Sequence, residues 1–97
     1  EVRHVIAQHP AIDECVVVGV PSPSGEDEVK AIVVLKPNQT LEPSVLRAHC
    51  VDRMAKFMLP RYIEVSDYIP RSDVGKPRYD LIKANSEETW DAQRDPD

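Results

Sequence analysis

The chain has 97 residues, a formal net charge of −5, 30% charged side chains and a mean hydropathy of −0.41. A chain this short builds one domain around one modest core, too small for a deep pocket that holds a nucleotide and a second substrate. No apolar run approaches the ~18–20 residues of a membrane helix and no basic leader opens the chain, so a soluble globular protein is expected.

Residues 1–9 place Val2, Val5, Ile6 and His9 at i, i+3, i+4 and i+7, one face of a helix that Pro10 stops. The helix is already under way at residue 1 and no initiator Met precedes it, which leads us to expect a piece of a longer chain. Ile12, Val16, Val17, Val18 and Val20 predict a buried strand over 12–20. Residues 21–25 (Pro-Ser-Pro-Ser-Gly) form a loop by their punctuation. Residues 27–36 predict a second strand, antiparallel to the first, and Pro37-Asn-Gln a turn. Pro43 suits the first position of a helix. Leu46, Cys50, Met54 and Phe57 then give residues 43–56 an apolar face, and Pro60 ends the segment. Residues 62–66 predict a short third strand, 67–77 a polar loop, and 78–84 a short helix through Tyr79, Leu81 and Ile82. Residues 85–97 are acidic, lack apolar periodicity and carry the single Trp90, so a mobile tail is expected there. The order αββαβα predicts an α+β domain over 1–84: a small three-stranded sheet with flanking helices.

Charge divides unevenly. Residues 1–52 and 85–97 each carry −4, whereas residues 53–83 carry +3 through Arg53, Lys56, Arg61, Arg71, Lys76, Arg78 and Lys83. That segment either faces an anion or is a solvated face. The two cysteines, Cys15 and Cys50, lie in apolar stretches and are expected as reduced core thiols of a cytoplasmic protein.

Several chemistries find no support. His4, His9 and His49 form no His-x-x-x-His pair and there is no Cys-x-x-Cys, so no metal site is expected. No Gly-x-Ser-x-Gly is present, and His49 and Cys50 are neighbours that diverge on a helix. Gly75-Lys76 resembles the end of a phosphate-binding loop. However, Pro70 stands where its first Gly belongs and Pro77 replaces the hydroxyl residue that would ligate Mg²⁺.

The loop from Pro70 to Lys76 (Pro-Arg-Ser-Asp-Val-Gly-Lys) remains. Gly75 permits a positive φ or a close backbone approach, and the flanking prolines limit the loop's conformations. Such a loop holds one ammonium at a projecting tip, suited to a carboxylate or phosphate oxygen. The same residues also describe an exposed lysine in a turn.

Pro-x-x-x-x-Gly-Lys after a short strand resembles the last core motif of the adenylate-forming superfamily, which includes acyl-CoA synthetases, adenylation domains of peptide synthetases and luciferases. Other segments agree in order: the helix ending in His9-Pro10, the strand from Ile12 to Pro21, Gly25 through Leu35, and Phe57 through Glu64. The resemblance covers residues 1–84 and is greatest to crotonobetaine/carnitine-CoA ligase-like members. It implies a C-terminal lid domain whose partner, a large N-terminal domain of the same chain, holds ATP and a carboxylic acid substrate. It also implies ATP, Mg²⁺ and CoA as cofactors of the full-length enzyme, and none bound to this piece, which alone is expected to be inactive. Lys76 matches the lysine that enters the active site for adenylation, and Gly75, Pro70 and Arg71 are its loop support. Such lysines are targets of acetylation, which removes the charge. The family's hinge motif would precede Glu1 and is not present. Pro77 stands where Ile or Val is usual, and the basic residue after the motif falls at Arg78, one place early, which puts its role in doubt. Another expectation, from charge alone, is a stand-alone interaction module that binds an anionic partner through its basic C-terminal half. Neither expectation includes a nucleic-acid partner or a membrane span.

Overall fold

The computed structural model describes residues 2–95. The β-branched runs make the two long strands, β1 (Ile12–Pro21) and β2 (Asp27–Leu35), paired antiparallel as expected. A short helix α1 (Val2–Ala7) precedes them. After β2 come α2 (Pro43–Val51), a 3₁₀ turn (Lys56–Met58), β3 (Tyr62–Val65), α3 (Tyr79–Ile82) and β4 (Trp90–Asp91). The strands lie in the order β1-β2-β3-β4, with β2 and β3 parallel and β3 and β4 antiparallel.

Both faces of the sheet are buried. Ile12, Cys15, Ala31, Val33 and Ile63 pack on one face against Ile6 of α1 and Leu46 and Cys50 of α2. Val16, Val18, Ile32 and Val34 pack on the other against Ile69 and Ile82. Alternation along β2 therefore divides Ala31/Val33 from Ile32/Val34, which is why the segment reads as a continuous apolar run. Burial pushes the Cys15 thiol up to about 11, opposed in part by Arg3, and raises Cys50 as well. Both cysteines are free.

Two sequence expectations need correction. The helix expected over 43–56 stops at Val51, where the Arg53 amide bonds the Cys50 carbonyl. Leu46 and Cys50 are buried as the periodicity implied, but Phe57 falls in the 3₁₀ turn and is 85% exposed. The expected three-stranded sheet has four strands among the described residues. The added β4 is two residues long and carries no period-2 signal. Its position is set by long-range contacts. Trp90 packs against the first core. Asp91 accepts from Arg61 Nε at 3.1 Å, and the Ala92 amide bonds the Arg61 carbonyl at 2.8 Å. Arg61 also donates to Glu28 at 2.9 Å and lies over the Tyr62 ring. Burial would raise the Asp91 carboxyl, but the hydrogen bonds from Arg61 and the Gln93 amide and the charges of Arg61 and Arg94 together outweigh this and hold it below the usual carboxylate range.

Lys30 is the unexpected core residue, fully buried at 0% exposure. It lies on the Ile32/Val34 face of β2. Its Nζ donates to Glu64 at 3.0 Å and to the Ala84 carbonyl at 3.1 Å. Glu64 Oε1 also accepts from the buried Thr89 hydroxyl at 3.2 Å. This cluster ties β2, β3, the end of α3 and the approach to β4 together.

A buried ammonium deprived of its carboxylate is left uncompensated, so Glu64→Ala is expected to destabilise the chain by about 2–3 kcal/mol in urea unfolding. The double substitution Lys30→Met/Glu64→Leu should recover most of that loss, and equal stability of wild type and Glu64→Ala would contradict the pairing. Trp90 gives a second check. Its fluorescence should be blue-shifted from that of free indole and should shift with urea at the same midpoint as the far-UV circular dichroism. A solvent-like emission with no transition would mean that β4 does not dock and that the segment around Trp90 is mobile; residues 96 and 97 of the expected tail lie outside the described residues.

Candidate functional site

The segment from Ile69 to Ile82 is pinned at both ends. Ile69 and Ile82 insert into the second core, so the intervening residues project as a loop from one place on the sheet. Inside it the backbone closes on itself. The Arg78 amide bonds the Pro70 carbonyl at 2.8 Å, and Arg71 and Pro77 form an antiparallel bridge. The Ser72 amide bonds the Lys76 carbonyl at 2.8 Å and the Gly75 amide bonds the Ser72 carbonyl at 2.9 Å. The expected polar loop is thus closed into a small hairpin with a turn over 72–75. Gly75 has φ +85°, a conformation that side-chain-bearing residues rarely adopt, so the turn depends on glycine at that position. The Ser72 hydroxyl is buried and has no partner among the described residues.

The predicted site residues converge here. Pro70 accepts the hydrogen bond that closes the hairpin, Arg71 and Gly75 shape it, and Lys76 follows the turn, exposed. Among the described residues Lys76 takes part in no ion pair. The neighbouring arginines are engaged. Arg71 donates to the Gly75 carbonyl at 3.1 Å and to Glu14 of β1 at 2.9 Å. Arg78 holds both carboxylate oxygens of Asp80, at 3.0 and 2.9 Å, and keeps that carboxyl below its usual range. Arg78 is therefore tied to its own helix.

Ion pairing also changes how the basic segment reads. Three of its seven cations, Arg61, Arg71 and Arg78, are matched by carboxylates, and Glu14, Glu28 and Asp91 come from outside the segment. A cleft of about 290 Å³ lies beside the hairpin, lined by Arg3, Asp13, Glu14, Arg71, Pro77 and Tyr79. Among the described residues no group of three or more His, Cys, Asp or Glu side chains could hold a metal ion, and no helix is long and apolar enough to cross a membrane. Sequence inspection missed Glu14, because an acid at the head of a strand looks like a solvated side chain until its partner, 57 residues away, is known.

Comparison with known proteins places this arrangement. The crotonobetaine/carnitine–CoA ligase of Salmonella arizonae is 36% identical over 85 residues, which are 88% of this chain and 16% of that protein. The ligase of the same name from Proteus mirabilis is 38% identical over 76 residues, 78% of this chain and 15% of that protein. Among solved structures, the amide bond synthetase of Marinactinospora thermotolerans matches with a TM-score of 0.76 at 34% identity, over 84% of this chain and 17% of that one. The o-succinylbenzoate CoA synthetase of Bacillus subtilis matches with a TM-score of 0.75 at 26% identity, over 94% and 18%. The chain thus spans about a sixth of the length of the relatives it matches. The family model for the AMP-binding enzyme C-terminal domain matches residues 1–76, ending on Lys76 itself. This chain belongs to the AMP-binding enzyme C-terminal domain family.

Proposed function

We propose that this chain is the C-terminal domain of an ATP-dependent acyl-CoA ligase, and that Lys76 acts in the first of its two half-reactions. The full-length enzyme would join a carboxylate to the α-phosphate of ATP, release pyrophosphate, and then transfer the acyl group to the CoA thiol with release of AMP. The observation that carries this proposal is the placement of Lys76: an exposed ammonium with no carboxylate partner among the described residues, on a hairpin whose two ends are sunk in the core.

The chemistry follows from charge. Carboxylate and α-phosphate are both anionic, and they repel as the oxygen approaches phosphorus. An ammonium between them offsets that repulsion and holds the carboxylate in line. It transfers no proton, so Lys76 stays charged throughout. The rigid hairpin matters because a charge held in position needs no reorganisation as the reaction proceeds. ATP, Mg²⁺ and the carboxylic acid would be held by the N-terminal domain of the same chain, the remaining five-sixths of the enzyme. The isolated domain would therefore be inactive. Free, buried thiols fit a reducing cytoplasm. Similarity to the two carnitine-type ligases makes a carnitine-like carboxylate the first substrate to try.

In the full-length enzyme Lys76→Ala should lower acyl-adenylate formation ~10²–10³-fold, the loss typical of one electrostatic contact to the transition state. Thioester formation from supplied acyl-adenylate should change by less than ~3-fold, since the proposed role of Lys76 is confined to the first half-reaction. Equal loss of both half-reactions would remove the assigned role. Acetylation of the Lys76 amine should suppress pyrophosphate exchange in the same way, because it removes the charge. Undiminished exchange by the acetylated enzyme would contradict it.

A further inference from the structure

Glu14 lies outside the lysine-bearing motif, yet it is the acid that the motif's arginine meets. Its placement is written in β1. In a regular strand, residues 12 and 15 point to opposite faces. Here Ile12 and Cys15 both enter the core under α1 and α2. The register explains this: Ile12 pairs with Leu35 and Glu14 with Val34, so Asp13 is an extra residue, a β-bulge. The bulge keeps Ile12 in the first core and leaves Glu14 in phase with Val16 and Val18, on the face where Ile69 and Ile82 pack. Bulges recur where a strand must re-aim a side chain beside a functional site.

From that face Glu14 Oε1 accepts from Arg71 Nη2 at 2.9 Å, and Arg71 Nη1 donates to the Gly75 carbonyl at 3.1 Å. The Gly75 carbonyl belongs to the peptide group that leads into Lys76. Two hydrogen bonds through one guanidinium thus link β1 to the backbone that carries the ammonium. We propose that Glu14 is a positioning residue for adenylation: acting through Arg71, it fixes the hairpin tip, and with it Lys76, against the sheet. The proposal rests on Lys76 being the adenylation lysine.

Exposure shows what this latch can and cannot do. Arg71 and Glu14 are 41% and 45% exposed. An ion pair so open to solvent adds little to global stability. The hairpin ends are already held by Ile69 and Ile82, so the latch restricts the tip. Displacing a catalytic group by about 1 Å can lower a rate on the order of 10²-fold.

The test compares Glu14→Lys, Glu14→Gln and Lys76→Ala in the full-length enzyme. Glu14→Lys sets a cation against Arg71. It should lower the kcat of adenylation ~10–100-fold while KM for ATP and carboxylate stays within ~3-fold. Glu14→Gln keeps an acceptor for Arg71 and should lose distinctly less. Thioester formation from supplied adenylate and the urea unfolding midpoint should stay at the wild-type values in both. If Lys76→Ala lowers adenylation and Glu14→Lys does not, the latch is refuted and the role of Lys76 stands. If Glu14→Lys lowers both half-reactions alike, or lowers the unfolding midpoint, Glu14 is a residue of the fold and the proposal falls. If Lys76→Ala spares adenylation, the proposal falls together with the role on which it rests.

Discussion

The central stretch of β2 has no polar face. Ala31 and Val33 are fully buried on one side, and Ile32 and Val34 are buried on the other. Covering one side takes α1 and α2. Covering the other falls to the chain between β3 and β4, which supplies only a few apolar residues. Ile69 and Ile82 are the ones that reach the core, and everything between them must leave the sheet and return. The projecting hairpin is thus a consequence of closing the second core with two isoleucines far apart in the chain. Lys30 is subject to the same constraint. It shares the Ile32/Val34 face and cannot reach water, so Glu64 and the Ala84 carbonyl take water's place.

From this arises a division of labour inside one short segment. The ends of the hairpin contribute to stability and the tip does not. Gly75, Val74 and Asp73 lie exposed at the turn, and no core contact depends on them. A tip that stabilises nothing is free to be shaped by another requirement. The positive φ at Gly75, the arginine that bonds its carbonyl and the lysine with no carboxylate partner among the described residues are local choices consistent with a charge delivered to a second body. The arginines nearby are already neutralised by Glu14 and Asp80, which leaves Lys76 as the one hairpin cation outside an ion pair among the described residues.

The sequence was most legible where local chemistry decides the structure. β-branched runs marked β1 and β2, Pro43 marked the start of α2, and Pro70, Gly75 and Lys76 marked the hairpin. It was least legible where distant residues decide. The 4-4-3 spacing that placed Met54 and Phe57 on one helix continued past Val51, although the backbone had already turned. β4 was missed because its two residues carry no pattern, and Arg61, Glu64 and the first core hold that segment. The bulge at Asp13 was invisible because alternation in β1 is obscured by burial on both faces. For that reason Glu14, although it sits in a recognisable strand, could not be matched with Arg71. The motif that named Lys76 was fully visible, because Pro70, Gly75 and Lys76 lie close together in one short segment.

The most direct measurement is a structure of the full-length enzyme with a non-hydrolysable mimic of the acyl-adenylate. If Lys76 is the adenylation lysine, its Nζ will lie within ~3 Å of both a carboxyl-derived oxygen and an α-phosphate oxygen of the mimic, with the Gly75–Arg71–Glu14 contacts retained. Lys76 lying in solvent while another cation occupies that position, with this domain closed over the mimic, would contradict the account.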